Sequence, residues 1–352
     1  MNALAERVAA QIAAQGPISV ADYMSIANAG YYAARDPLGR AGDFVTAPEI
    51  SQVFGEMLGL WCVQVWHDQG RCATKRLVEL GPGRGTLMAD ALRAMRVAPE
   101  FLDGIEIVLV ESSPALKQAQ QERLREWGDK IRWTGRFDSS FGDRPLFLLA
   151  NEFFDALPIR QYVKTMRGWR ERMVTLTGDK LDFALSPVPV PDAAIPPGRG
   201  DAPDGGVCEI CPSALSLADE IACIVALQGG GALIVDYGYD KPDFGETLQA
   251  VQDHAFAGIL DDPGESDLSA HVDFAALASA ASRASVSGPI AQAEFLDDIG
   301  VVRRFEQLAS RNPAKAGELW SQLDRLVNPE QMGTLFKALA IVPRGAPAAP
   351  GF

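Results

Sequence analysis

Hydrophobic positions along this 352-residue chain follow two alternating patterns. Short apolar runs, rich in β-branched residues, recur at 76–80, 105–110, 131–134, 145–150 and 231–235. Segments with apolar residues at helical spacing lie between them, at 86–95, from Pro114 onward and at 212–227. Short apolar runs of this kind are typical of strands buried on both faces. The alternation therefore predicts a doubly wound α/β fold, with a parallel sheet and helices on both faces.

Other segments predict additions to this core. Short helices are predicted at 2–14 and 19–29, a longer one at 49–67, and two late ones at about 273–282 and 314–326. Antiparallel strands are predicted at 159–166, 169–176 and 181–185, followed by a loop rich in Pro and Gly. We therefore divide the chain into an N-terminal helical and loop region (1–70), a core (71–158 and 207–345) and an antiparallel insertion on the substrate side (159–206).

A glycine-rich turn follows the first core strand. Gly81, Gly83 and Gly85 stand two residues apart after Glu79. Glycines at such a turn allow the backbone to approach a ligand closely, and the following helix offers free N–H groups. The dinucleotide fingerprint needs a sixth-position glycine, where this chain has Thr86. The pattern suits S-adenosylmethionine (SAM), with Glu79 holding its ammonium; a turn that merely needs glycine is the alternative.

Polar residues follow the next core strands. Glu111 ends the second strand, where a carboxylate can accept hydrogen bonds from both ribose hydroxyls. Asp138 follows the third strand, where it can meet an adenine amino group, although a surface aspartate is equally consistent. Asn151, at the end of the fourth strand, is a further candidate cofactor contact.

Two carboxylates after the fourth strand are the candidate catalytic residues. Glu152 and Asp155 flank two phenylalanines at the edge where ligands bind in this architecture. Carboxylates match the N–H forks of a guanidinium. The alternative interpretation is a helix N-terminus whose dipole the acids complement.

The composition of the chain indicates which classes of ligand and partner to expect. The net charge of −14 repels phosphate backbones, so we expect no nucleic-acid partner. Five sparse cysteines indicate reduced thiols, although Cys208 and Cys211 have CxxC spacing; matching zinc ligands are missing, so we expect no metal. No apolar run reaches the length of a membrane span and no secretory signal is visible. These features predict a cytoplasmic bacterial protein.

Several segments together resemble the MidA-type SAM-dependent methyltransferases, whose mitochondrial members are assembly factors of respiratory complex I and protein arginine methyltransferases. The matching stretches are 31–32, 36–39, 42–56, 79–86, 151–158, 236–239, 267–274 and 332–337. The resemblance implies a Rossmann-like class I fold, SAM as methyl donor with S-adenosylhomocysteine as product, and a protein substrate, with a complex I subunit as one candidate. It also implies that a loop folds over the cofactor and brings Phe44, Thr46 and Pro48 near it.

This resemblance leaves rival functions. Gln249 and Gln252 stand where the family leads us to expect basic residues, which indicates a different partner if these positions meet one. We expect methyl transfer to a protein arginine. The alternatives are a small-molecule methyltransferase and a non-catalytic assembly factor that binds SAM. A dinucleotide-dependent oxidoreductase is disfavoured, because Thr86 stands where the dinucleotide fingerprint needs glycine.

Overall fold

The computed structural model describes residues 2–34, 46–196, 199, 202–241, 244–252 and 255–352. Its helices are α1 Ala3–Gln15, α2 Val20–Ala34, α3 Ala47–Ile50, α4 Gln52–Asp68, α5 Thr86–Met95, α6 Pro99–Leu102, α7 Pro114–Arg123, α8 Pro212–Gln228, α9 Phe274–Ala280, α10 Gln292–Asp298, α11 Val301–Arg311, α12 Ala316–Val327 and α13 Met332–Leu335. Its strands are β1 Ile18–Ser19, β2 Lys75–Leu80, β3 Ile105–Val110, β4 Ile131–Thr134, β5 Leu146–Asn151, β6 Arg160–Thr165, β7 Gly168–Thr177, β8 Lys180–Val190, β9 Val207–Ile210, β10 Gly230–Tyr239, β11 Gln249–Gln252, β12 Ala255–Ala257, β13 Asp267–Ser269, β14 Val272–Asp273, β15 Ser285–Ala291 and β16 Phe336–Val342.

The central sheet has the order β15-β16-β10-β5-β2-β3-β4, with β14 added beside β10. Strands β2, β3, β4, β5 and β10 are parallel to one another, as the sequence predicts. The sheet is not parallel throughout, however, because β16 runs antiparallel to both β10 and β15. Neither β15 nor β16 is predicted from the sequence. Strand β16 is a short apolar run, which does not by itself distinguish a strand from a buried helix. Strand β15 contains Gly288 and Pro289, which are unusual inside a strand.

Two hydrophobic layers cover the central sheet, because successive side chains of a strand point to opposite faces. Leu77 and Ile107 pack into one layer with α4, α5 and α11, while Val78 and Val108 pack into the other with α8 and α9. All four side chains are fully buried. This arrangement confirms the doubly wound fold and places the carboxyl ends of the parallel strands at one edge.

Two smaller sheets lie outside this core. One joins β1, β7, β6 and β9, with β8 added beside β7. Strand β8 extends to Val190, five residues beyond the predicted strand at 181–185, so it replaces the first residues of the loop predicted to follow. Strand β9 lies in the segment assigned to the core yet pairs with β6 of the insertion. The other sheet, β12-β11-β13, is not predicted from the sequence. The division into three regions remains a prediction.

A helix that crosses a bilayer needs about 20 consecutive, mostly apolar residues. Within the described ranges, no helix combines the length and the apolar character that a membrane crossing requires.

Candidate active site

Two cavities open at the carboxyl ends of β2, β3 and β5. The larger has a volume of about 530 Å3 and is lined by the ends of β3 and β5, the glycine turn, and residues of α2, α7 and α8. The smaller, of about 60 Å3, lies between the glycine turn, α3 and the end of β5. Gly81, Gly83 and Glu152 line both cavities, so the two are neighbours at one site.

The glycine turn has the backbone that its sequence predicts. Gly81, Gly83 and Gly85 have φ values of 60°, 52° and 75°, in the left-handed region that favours glycine. A Cβ atom on Gly81 would lie 2.8 Å from Cδ2 of Phe153. Gly85 lines neither cavity; it is the N-cap of α5. Gly81 and Gly83 therefore present bare backbone to the cavities, and at Gly81 a side chain would press against Phe153.

Glu79 is a buried carboxyl group beside this turn. Burial raises its pKa to about 8, and the nearby charge of Glu111 contributes, while a hydrogen bond from the Met88 N–H lowers it. Among the described residues, no donor reaches its buried Oε2 atom, and the same holds for Oδ1 of Asn151. Buried polar atoms normally have a partner. Two such oxygens beside one cavity fit a ligand that carries an ammonium group or other donors.

Glu111 lines the larger cavity, where we predicted a ribose contact. Its Oε1 atom accepts a hydrogen bond from the Ser113 N–H at 2.7 Å, which fixes the carboxylate. Its Oε2 atom accepts a hydrogen bond from Nε2 of Gln120 at 3.2 Å. The Ser112 N–H also donates to this carboxylate. A carboxylate has about four lone-pair sites, so Glu111 can still accept a donor from a ligand.

Gln120 supports the site, although the sequence does not indicate it. It is fully buried on α7. Its Nε2 atom also donates to the Gly83 carbonyl at 2.6 Å, and its Oε1 atom accepts from Nε1 of Trp133 at 2.9 Å. One amide thus links the glycine turn, Glu111 and β4. The only sequence signal was a glutamine within a helix, which carries no indication of these partners.

Some of the remaining predicted cofactor contacts line a cavity, and others do not. Thr46, Pro48 and Asn151 line the smaller cavity. Asp138 lines neither cavity: its Oδ1 atom accepts from the Ser140 N–H at 3.0 Å and its Oδ2 atom faces Arg136 at 3.2 Å. Phe44 lies outside the described residues.

Glu152 lies between the two cavities in a left-handed conformation, with φ of 50°. Its Oε1 atom accepts hydrogen bonds from the Ala47 N–H at 3.2 Å and from Nδ2 of Asn151 at 3.0 Å. Burial raises its pKa to about 7, and the charge of Asp155 adds to the shift. Residues outside glycine rarely adopt such a conformation, and those that do cluster at functional sites.

Asp155 follows Glu152 by three residues and lines neither cavity. Its side chain is buried, and burial raises its pKa to about 6. Its Oδ1 atom receives no hydrogen bond from any residue that the structure describes. The two predicted catalytic carboxyls are therefore neighbours whose charges affect each other, and Glu152 is the one exposed to the cavities.

Asp236, at the end of β10, holds the turn that carries this pair. Its Oδ2 atom accepts hydrogen bonds from the N–H groups of Phe153, Phe154 and Asp155, at 3.1, 2.9 and 3.3 Å. Its Oδ1 atom accepts from the Tyr237 N–H at 2.9 Å. Burial and the charges of Asp155 and Glu152 raise its pKa well above the ordinary range. The sequence placed Asp236 at a strand end but did not indicate this role.

The site combines a glycine turn, a buried carboxyl with an unpaired oxygen and a carboxylate at the end of the second parallel strand. This combination on a doubly wound sheet defines a nucleoside-binding α/β enzyme of the SAM-dependent methyltransferase class. Residues 57–290 match the model of a family described as S-adenosyl-L-methionine-dependent methyltransferases. The chain belongs to this family, and it is an enzyme whose cofactor is SAM.

Named relatives support this membership over nearly the whole chain. The protein arginine methyltransferase NDUFAF7 of Danio rerio mitochondria is 37% identical, with 97% of this chain and 87% of the relative covered. The human protein of the same name is 38% identical, with 95% and 82% covered. A solved structure from Burkholderia thailandensis bound to S-adenosyl-homocysteine has a TM-score of 0.87 at 29% identity, with 99% of this chain and 94% of that chain covered.

Proposed function

We propose that this methyltransferase transfers the methyl group to an arginine side chain of a protein. The observation that carries the proposal is the half-buried carboxyl of Glu152, which lines both cavities at the carboxyl end of β5, with the buried carboxyl of Asp155 three residues further along the chain. Two carboxyls can match the fork of N–H groups on a guanidinium. The names of the relatives, protein arginine methyltransferases at 37–38% identity, point to the same substrate.

The cofactor residues follow from the geometry of the cavities. SAM, when bound, supplies a methyl group on a positively charged sulfur. Glu79 would hold the ammonium of its amino-acid portion, and Asn151 would contribute its buried Oδ1 atom. Glu111 would accept hydrogen bonds from the ribose, while Gly81 and Gly83 allow the backbone to approach. Thr46 and Pro48 would cover the smaller cavity. The proposed set also contains Gly85, Asp138 and Phe44, which rest on the sequence pattern and the family resemblance.

Glu152 would align the guanidinium for the reaction. An arginine nitrogen forms a bond to the methyl carbon as the bond from that carbon to sulfur breaks, and the nitrogen then loses one proton. An arginine is otherwise always protonated, so alignment contributes more than early proton removal. Glu152 has a pKa of about 7, which suits a carboxylate that takes up this proton late.

The test compares Glu152→Gln with Glu306→Gln, a change of the same kind at an exposed position of α11. Three properties are measured on each purified variant: SAM affinity by calorimetry, melting temperature, and transfer of labelled methyl groups to a peptide library with a central arginine. A library with lysine at that position is the second control.

We expect Glu152→Gln to keep SAM affinity within about threefold and to lose on the order of a hundredfold in methyl transfer, because attraction and alignment are both lost. Glu306→Gln should transfer methyl groups as the wild type does. The lysine library should receive no label. Full turnover by Glu152→Gln with a shifted melting temperature would show that the carboxyl only supports the turn. Equal labelling of the lysine library would exclude arginine specificity.

Partner and location belong to the same proposal. The resemblance found in the sequence makes a respiratory complex I subunit one candidate acceptor and assembly of that complex one candidate role. All five cysteines are free thiols, the state that a reducing compartment maintains, which supports a cytoplasmic location. The net charge of −14 also favours a basic protein segment as substrate.

A further inference from the structure

Two adjacent residues of β10 contact the turn that carries the candidate catalytic pair. The carboxylate of Asp236 accepts three backbone N–H groups of residues 153–155, so it fixes the backbone of Asp155. A second backbone contact, from the Ala270 N–H to the Asp155 carbonyl at 3.0 Å, holds the same residue from the other side. The backbone of Asp155 is therefore fixed, while its side chain needs a separate support.

Tyr237 is placed to give that support. Its ring packs edge-on against His271 and against Phe336, each with a centroid distance of 5.5 Å. Because two rings restrict it, its hydroxyl has a defined direction. That hydroxyl faces the carboxylate of Asp155 and stabilises its charged form, which lowers the pKa of Asp155 against the effect of burial.

The far side of the tyrosine hydroxyl is also occupied. Ser269, on β13, interacts with it through its own hydroxyl and stabilises the tyrosine oxygen. The Oγ atom of Ser269 in turn accepts a hydrogen bond from Nε2 of Gln249 at 3.4 Å. The small sheet that contains β11 and β13 thus reaches the candidate catalytic pair through one polar chain of side chains, from Gln249 to Asp155.

We infer that Tyr237 is a positioning residue that holds the carboxylate of Asp155 in place, so that its charge adds to that of Glu152 at the cavity, with Ser269 and Gln249 fixing the tyrosine hydroxyl. The inference rests on the proposed function, because it needs a substrate that the Asp155 charge attracts. It also gives Gln249 a role inside the protein, in addition to any contact with a partner.

The direction of the pH effect follows from the groups around Asp155. Glu152 lies on the same turn as Asp155, and Asp236 lies on β10. The hydroxyl of Tyr32, on α2, also faces Asp155 and donates a hydrogen bond to Asp267 of β13 at 2.9 Å. None of these groups is a cation, so loss of the Tyr237 hydroxyl leaves the charged form of Asp155 less stable. Its pKa then rises further, and activity should require a higher pH.

The experiment compares Tyr237→Phe with Tyr239→Phe, which removes the same atom two residues along the same strand, from a tyrosine that faces Arg199. We expect Tyr237→Phe to lower kcat for arginine peptides by tenfold or more at pH 7, to shift the acidic limb of the pH profile upward, and to keep SAM affinity. We expect Tyr239→Phe to change none of these. Ser269→Ala should show a smaller shift in the same direction.

A second measurement does not depend on the substrate. The free energy of unfolding is determined for both variants at pH 5 and pH 8. The loss caused by Tyr237→Phe should grow with pH, because a buried Asp155 with a higher pKa costs more to ionise. Equal pH dependence in the two variants, or an unshifted activity profile, would overturn the inference. A wild type that methylates no arginine peptide would instead refute the proposed function, and the unfolding data would still decide the role of Tyr237.

Discussion

Replacing Glu79 by glutamine isolates the charge of one buried carboxyl that we expect to bind the cofactor. Its pKa in the folded protein is about 8, raised from 4.5 by burial and by Glu111. Because the folded pKa is above the unfolded one, the carboxyl contributes full stability below pH 4.5 and loses it as the pH rises through 8. At pH 7 the ionisable carboxyl makes the folded protein roughly 3 kcal/mol less stable than it is below pH 4.5. This figure takes 1.4 kcal/mol for each pH unit between 4.5 and 7.

Glutamine is uncharged at every pH and has nearly the same shape. The stability of Glu79→Gln relative to the wild type should therefore increase from pH 5 to pH 8, while its affinity for SAM falls at least tenfold. The wild type should release close to one proton when SAM binds at pH 7, because the ammonium needs the charged carboxylate. Urea unfolding at the two pH values measures the stability difference. Calorimetry measures the SAM affinity, and its repetition in buffers of different ionisation enthalpy measures the proton release.

Glu122→Gln, at an exposed position of α7, is the matched control and should change neither property. Two results would contradict this reasoning. One is a stability difference between Glu79→Gln and the wild type that does not vary with pH. The other is binding of SAM without proton release, which would show that Glu79 stays neutral in the complex.

Two further predictions concern the support of the cavity. Gly81→Ala places a Cβ atom 2.8 Å from Phe153 at a φ of 60°, so SAM affinity measured by calorimetry should fall at least tenfold. Gly178→Ala is the control, because it has the same backbone strain, at a φ of 62°, but open space around the Cβ atom. This control should bind SAM as the wild type does. Gln120→Met removes three hydrogen bonds at nearly constant volume. The free energy of unfolding in denaturant should therefore fall by about 2 kcal/mol or more, and SAM affinity should fall as well. Gln118→Met, at an exposed position of the same helix, is the control and should change neither quantity. Affinity equal to that of each control variant would refute the corresponding role.

The local pattern of the chain determined the central elements. Strands 105–110 and 131–134, the helix 86–95 and the helix start at Pro114 are confirmed with the same boundaries. Each is a run of apolar residues, or an apolar face at helical spacing, bounded by residues that favour turns and caps. The glycine turn was equally local, because a left-handed backbone at Gly81 and Gly83 needs only the absence of a side chain.

Only the tertiary structure decided which polar groups meet. Asp236 holds a turn that lies 81 to 83 residues earlier in the chain, and Gln120 reaches both the glycine turn and β4. Strand β16, near the end of the chain, enters the sheet between β10 and β15. Such contacts join residues far apart in sequence, so they leave no periodicity from which to predict them. The sequence therefore indicated a SAM site and its acids, whereas packing of the strands determined how Asp236, Tyr237 and Gln120 support them.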